Sequence, residues 1–242
     1  MLGPVVDTPS AQEFMREIVD RISAEELGAI AGDLERKSLA LQTLLQTPEE
    51  LDREGLRAVL RWVFSTRRSA DRIIESVSPE RLGAAVNDLL HARDGLPERI
   101  ERFDAVLTEF PDTAFDLPGE LLHFTSPERY WLWTRWIWDP RTETGALRLV
   151  TTEDVDLAAG SPRGETYLAV GQALDFVDDL GRSAGLTTDG RNRFGTDVFL
   201  AAVYGVYMYT ILRMRMTEQF NQVVPPMPDL IRRLLGVYHL EV

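Results

Sequence analysis

Apolar residues recur along most of this chain at helical spacing. From Ser23 to Gln46, the residues Leu27, Ile30, Ala31, Leu34, Leu41 and Leu45 fall on one face of a 3.6-residue period, which predicts an amphipathic helix. Leu51, Leu56, Val59, Leu60 and Val63 continue the pattern, as do Leu82, Val86, Leu89 and Leu90. Further helices are predicted from Pro97 to about Glu109, Glu165 to Arg182, Asp197 to Phe220 and Pro228 to Leu235. Their starts are punctuated. Thr47-Pro48-Glu49-Glu50, Ser78-Pro79-Glu80 and Ser126-Pro127-Glu128 each place a capping hydroxyl before a proline and an acid. Ser10 with Glu13, and Ser23 with Glu26, fit the capping-box spacing. No solenoid period connects these units, and the first hundred residues read as an antiparallel helical assembly with short connections.

One segment breaks the helical period. Tyr130 to Trp138 is dense in aromatics that favour strands, Asp139 to Gly145 reads as a turn, and Ala146 to Val150 returns as a second strand. The fold class predicted is therefore mainly α, a compact multi-helix assembly with one short β-hairpin near residues 130–150. A single helical domain over 1–242 is expected. A finer division would separate a helical half, 1–110, from a hairpin with C-terminal helices, 111–242. Asp156 to Gly164 and Gly185 to Gly195 read as loops, neither long nor biased enough to link domains.

Composition narrows the function classes. The 242 residues are 44% hydrophobic and 27% charged, enough apolar content to close a core. There is no cysteine, so disulfides, thiolate nucleophiles and cysteine metal sites are excluded, and a reducing, cytoplasmic location is expected. The opening MLGPVVDTPS lacks the basic and apolar regions of a signal or transit peptide. The most apolar stretch, Val198 to Leu212, is shorter than the roughly 18–20 residues that cross a bilayer and is diluted by Tyr204, Gly205, Tyr207, Tyr209 and Thr210. It reads as a buried core helix. No membrane span is expected.

The net charge of −13 disfavours general nucleic-acid binding. Between Arg53 and Arg81, however, seven arginines face four acids, and Arg57, Arg61, Arg67, Arg68 and Arg72 define a candidate basic face. A solvated helix laced with ion pairs is the plainer reading of that face.

Chemical motifs are sparse. Glu120-Leu121-Leu122-His123 places two metal-ligating types at i and i+3, the spacing of bundle di-iron sites, but a second copy is missing. Asp175, Asp178 and Asp179, with Asp154 and Asp156 upstream, could hold a cation or form a solvated acidic face. Phosphate-cradling glycine loops and a GxSxG elbow are absent from the sequence. Trp131, Trp133, Trp136 and Trp138 are four of the five tryptophans. In a strand they would line both faces, one set beside Arg135, as core on one side and a stacking or partner surface on the other.

Residues 115–150 read FDLPGELLHFTSPERYWLWTRWIWDPRTETGALRLV. The core LLHF-x-x-PERY-x-x-W resembles a stretch of glycosylase-like helix-hairpin-helix proteins and of the helical modules attached to McrB-type restriction ATPases. The resemblance extends through Tyr167, Leu180 and Asp197-Val198-Phe199-Leu200 to Tyr204, about residues 115–205. It implies a shared helical scaffold. Where that pattern ends in Trp-Asp, this chain has Trp133-Thr134, and no glycine follows Leu117-Pro118-Gly119 to meet phosphate. The catalytic aspartate position is therefore not matched, and base excision carries over onto no residue here.

Three functional classes follow, in descending order. The first is a non-catalytic accessory or interaction subunit of an intracellular complex, needing no cofactor and docking another protein through Trp131, Trp133, Arg135, Trp136, Trp138, Tyr207 and Arg213. The second is a nucleic-acid-associated, defence-type module using the arginine face. The third is a small-molecule or metal-dependent enzyme with a pocket of Trp136, Trp138, His123 and Glu120, in which Glu120 and His123 are the weak metal candidates.

Overall fold

The structure, a computed structural model, describes residues 5–183, 194–215 and 225–238, with the side chains of Ser183 and of residues 212–215 excluded. Ten α-helices occur among them: α1 (Thr8–Val19), α2 (Ala24–Leu44), α3 (Arg53–Trp62), α4 (Ala70–Ser76), α5 (Pro79–His91), α6 (Leu96–Asp104), α7 (Leu117–Thr125), α8 (Arg163–Ser183), α9 (Phe194–Arg215) and α10 (Met227–Leu234).

Helix α7 forms the centre. Every residue from Leu117 to Phe124 is buried, as expected of a helix that is apolar nearly all round. Helices α2 and α5 pack on it, α9 and α10 join through α2, and α6 joins through α5 and carries α8. The mainly helical class predicted from periodicity holds. The window Phe194–Ile211 of α9 has a mean hydropathy of 1.2 and is long and apolar enough to cross a bilayer, yet 56% of it is buried inside this chain. It packs against α1, α2, α8 and α10 as a core helix.

Local chemistry explains most helix starts. The capping box of α2 forms as its spacing requires: the Glu26 amide donates to Ser23 Oγ at 3.1 Å, and the Ser23 amide donates to Glu26 Oε2 at 3.3 Å. Ser78 caps α5. The other box does not form. Asp7 caps α1 one turn earlier, and Ser10 lies inside the helix as donor to the Asp7 carboxylate. Thr47-Pro48 starts only a 3-10 turn, Pro48–Glu50, and Ser126-Pro127 only a turn. Helix α6 also ends at Asp104, about five residues before the predicted end. The far end predicted for α9 and most of the loop Gly185–Gly195 lie outside the described residues.

The hairpin expected near residues 130–150 is absent among the described residues. Only an isolated bridge, Asp139 with Thr144, remains, and the returning strand is replaced by a 3-10 turn over Leu147–Leu149. Burial is the reason. Trp131, Trp133, Ile137 and Trp138 are all core, so the segment threads through the interior; the returning residues still donate to it, Ala146 to the Trp136 carbonyl at 2.8 Å and Leu147 to the Ile137 carbonyl at 3.0 Å, but they continue into the 3-10 turn and build no ladder. Trp133 Nε1 donates back to the Trp138 carbonyl at 2.9 Å, and Tyr167 donates its hydroxyl proton to the Trp131 carbonyl at 2.8 Å. The amides of Ile137 and Trp138 both donate to the Thr134 carbonyl.

Two glycines allow the close approaches that fix this arrangement. A Cβ at Gly119 would lie 2.3 Å from the Trp133 carbonyl oxygen, so α7 and the tryptophan segment meet backbone to backbone. A Cβ at Gly164 would lie 2.2 Å from Pro97 Cα, which presses the start of α8 onto the start of α6.

Candidate functional site

Inside the bundle, α7 turns two polar residues toward charged partners. Lys37 on α2 is fully buried, with Nζ 2.6 Å from Glu120 Oε2, 3.2 Å from the Leu235 carbonyl oxygen and 4.1 Å from the Phe124 ring centre. The ammonium thus meets a carboxylate, a carbonyl at the C-terminus of α10 and an aromatic face. Burial pushes the Glu120 carboxyl above its ordinary value, against the pull of Lys37. One turn on, His123 Nδ1 donates to the Tyr130 carbonyl at 2.9 Å. His123 Nε2 lies 2.8 Å from Asp197 Oδ2 in the first turns of α9, outside the alignment of a hydrogen bond. Glu120 and His123 therefore serve different partners, and both are sealed from solvent. Among the described residues no group of three or more His, Asp or Glu side chains is placed to hold a metal.

The tryptophans divide. Trp131, Trp133 and Trp138 are buried, which corrects the reading of the whole segment as a partner surface. A pocket combining Trp138, His123 and Glu120 with Trp136 is likewise not formed, since the first three are core. Trp136 is half-buried and, with Arg135, borders a surface groove of about 680 Å³. Phe64, 56% exposed, Tyr204 and Arg233 complete its aromatic and cationic walls, and Asp139 its acidic end. Tyr207 stands beside it, with its ring 6.0 Å from that of Tyr204. The side chain of Arg213 lies outside the described residues.

A second depression, about 350 Å³, adjoins the groove. Leu107, Phe110, Pro111 and Ala114 give it an apolar lining, and Asp104 and Arg163 stand at its wall. Phe115 lines this depression and its ring is shared by two guanidinium groups. Arg163 lies 4.2 Å and Arg135 5.6 Å from its ring centre. Each arginine is matched to an acid. Arg163 Nη1 is 2.5 Å from Asp104 Oδ1, and Asp116 accepts from the Arg135 amide at 2.9 Å and from its Nη2 at 3.4 Å. Arg141 lines the smaller depression while pairing with Asp112 and Asp139 of the groove.

Burial dominates the electrostatics at both arginines. It raises the Asp116 carboxyl despite Arg135 and lowers the Arg163 guanidinium despite Asp104. Burial also pushes the Asp104 carboxyl up to about 6, with Arg163 pulling it down and Glu101 adding to the rise. The folded chain then holds this proton more tightly than the unfolded chain, whose ordinary value is 3.8. The stability contributed by protonated Asp104 is complete below 3.8 and is lost as pH rises through about 6. Asp104→Asn removes this titration but also takes the anion from Arg163, so its stability relative to wild type is expected to improve between pH 4 and pH 7.5, by up to about 3 kcal/mol. Urea titrations at the two pH values measure that difference. An equal difference from wild type at both pH values would show that burial does not set this carboxyl.

The remaining candidates divide between paired and exposed positions. Arg57 is paired with Glu54 and Asp71, Arg61 lies 3.6 Å from Asp71, and Arg72 stacks 5.7 Å from the Phe110 ring centre. Arg67 and Arg68 are exposed. Two of these five arginines are thus in ion pairs, one is stacked on a ring and two are exposed. Asp175 accepts from Trp131 Nε1 at 2.9 Å, Asp178 from Thr196, and Arg182 binds both Asp178 and Asp179. Asp156 closes a local turn with the Ala158 amide.

Lys37 and the Asp104–Arg163 pair were missed in the sequence. A signal existed for the first. Ile30, Leu34 and Leu41 define a core stripe on α2, and its period places position 37 on the same face. For the pair there was none, because the two residues are far apart in the chain and meet only through packing of α6 on α8. No family model, curated protein or solved structure matches this chain.

Proposed function

We propose that this protein is a non-catalytic interaction subunit that docks a protein partner in the groove between Phe64, Trp136 and Tyr204. The observation that carries the reading is the presentation of three aromatic side chains and two arginines around one open groove of about 680 Å³. Tyr, Trp and Arg supply most of the binding energy at protein interfaces, because they bury large area at modest entropic cost while keeping a polar handle. Phe64 supports it further. An exposed phenylalanine at a concave rim is placed to be covered by an apolar side chain from another molecule.

The test is a photoreactive phenylalanine analogue at position 64, compared with one at Leu39 on α2, which is 63% exposed and lies outside the groove. Irradiation in the native host is expected to give an adduct of defined mass at position 64 only. Arg233→Glu should weaken that adduct roughly tenfold or more. Equal labelling at both positions, or none at 64, would remove the groove from consideration.

A further inference from the structure

We propose that the groove takes an acidic segment of its partner, a short stretch of protein with one large apolar side chain beside two or more carboxylates. The apolar side chain would cover Phe64, and the carboxylates would sit on Arg67, Arg68 and Arg233. The proposal rests on the docking reading given above and adds the chemistry of the partner to it.

The rim of the groove at Phe64 is built from two turns that touch. The first follows α3. Thr66 is fully buried and its hydroxyl donates to the Leu60 carbonyl at 2.7 Å, while the Arg67 amide donates to the Val63 carbonyl at 2.9 Å. The turn is pinned from inside, and Phe64, Arg67 and Arg68 are left exposed. The second turn closes α10. Gly236, at φ +70°, sits so near the first that a Cβ there would lie 3.2 Å from Phe64 Cβ. Arg233, three residues earlier, is exposed and stacked 4.0 Å from the Tyr238 ring centre.

These three arginines differ from the others at the groove. Arg135 is matched by Asp116, and Arg141 by Asp112 and Asp139. Arg67, Arg68 and Arg233 meet no acid within ion-pair distance among the described residues. Asp71, the acid that follows Arg67 and Arg68, is held by Arg57 and Arg61. Asp229, one turn before Arg233 on α10, is not paired with it. On a chain of net charge −13, three exposed and unmatched cations at one aromatic rim favour an acidic partner over a basic one. A guanidinium fork fits a carboxylate, and stacking on Tyr238 holds the Arg233 fork in place.

Nucleic acid also meets arginines and aromatic faces. The acidic end of the groove disfavours it. Asp112 and Asp139 share the single Arg141 there, and the negative charge left over repels a continuous phosphate chain. A peptide can place its carboxylates at the Phe64 end alone.

Phage selection of random dodecapeptides on the full chain, with counter-selection on Phe64→Ala, tests the charge of the partner apart from the docking itself. Peptides that need Phe64 are expected to carry a net charge of about −2 or below and one large apolar residue. The tightest of them, synthesised with a fluorescent label, should bind Arg67→Glu with Arg68→Glu roughly tenfold more weakly than the wild type. Arg67→Gln with Arg68→Gln should lose roughly threefold, and it replaces the reversal if that disturbs folding. Binding to the wild type should also weaken as salt rises from about 50 to about 300 mM. Phe64-dependent peptides that are neutral or basic would overturn the acidic partner and leave the groove as a docking site. No Phe64-dependent peptide at all would overturn both. Displacement of the selected peptide by an equal concentration of a dodecameric oligothymidylate would assign the arginines to nucleic acid and overturn the proposal as well.

Discussion

Lys37→Met is expected to lower the unfolding free energy by about 3–5 kcal/mol, and Glu120→Leu to do the same, while the two together recover most of the loss. The asymmetry follows from burial. Either single change leaves an ion in the interior without its partner, and the charge left behind cannot regain water. Glu120 alone would keep its carboxylate among apolar neighbours, where burial already raises it. Lys37 alone would keep the Leu235 carbonyl and the Phe124 face, but no anion. Removing both leaves an apolar contact between α2 and α7. Denaturation of the two singles and the double closes the cycle. Additive losses in the double would mean that the two groups stabilise the fold independently, contrary to their 2.6 Å contact.

Trp138→Ala carries a loss of similar size, about 3–5 kcal/mol, because it removes the largest fully buried side chain among the described residues. The indole lies under the Arg148 guanidinium, 5.6 Å away, and its own carbonyl receives the Trp133 indole proton. Trp138→Phe should cost far less, about 1.5 kcal/mol or under, since the indole N–H it deletes has no protein acceptor. Urea denaturation with an unchanged m value checks both. If alanine and phenylalanine cost the same, the indole proton has a role that its surroundings do not reveal.

These two sites show different kinds of legibility. The tryptophan segment announced itself by composition, but alternating aromatics say only that a segment is bulky on two sides. A strand with both faces buried and an irregular segment wrapped by helices produce the same pattern. The choice fell to Gly119, whose missing Cβ lets α7 lie directly on the Trp133 backbone. Lys37 was the reverse case. A charged residue in a core stripe looks like a gap in the pattern until Glu120 is known to stand opposite it.

The groove and the smaller depression were less legible still. Arg135 and Trp136 were candidates from the start, yet Phe64, Tyr204 and Arg233, which share the groove with them, come from segments widely separated in sequence. Asp104 and Arg163 carried no signal as a pair. What the sequence by itself determined was the helical class, the capping of α2 and α5 and the burial of α9, because these depend on contacts within a few residues or on apolar content alone. The tertiary structure decided the fate of the hairpin, the partners of the buried charges and the contents of both cavities. Those depend on which distant surfaces meet, and on how far burial shifts the balance between a charge and its neutral form.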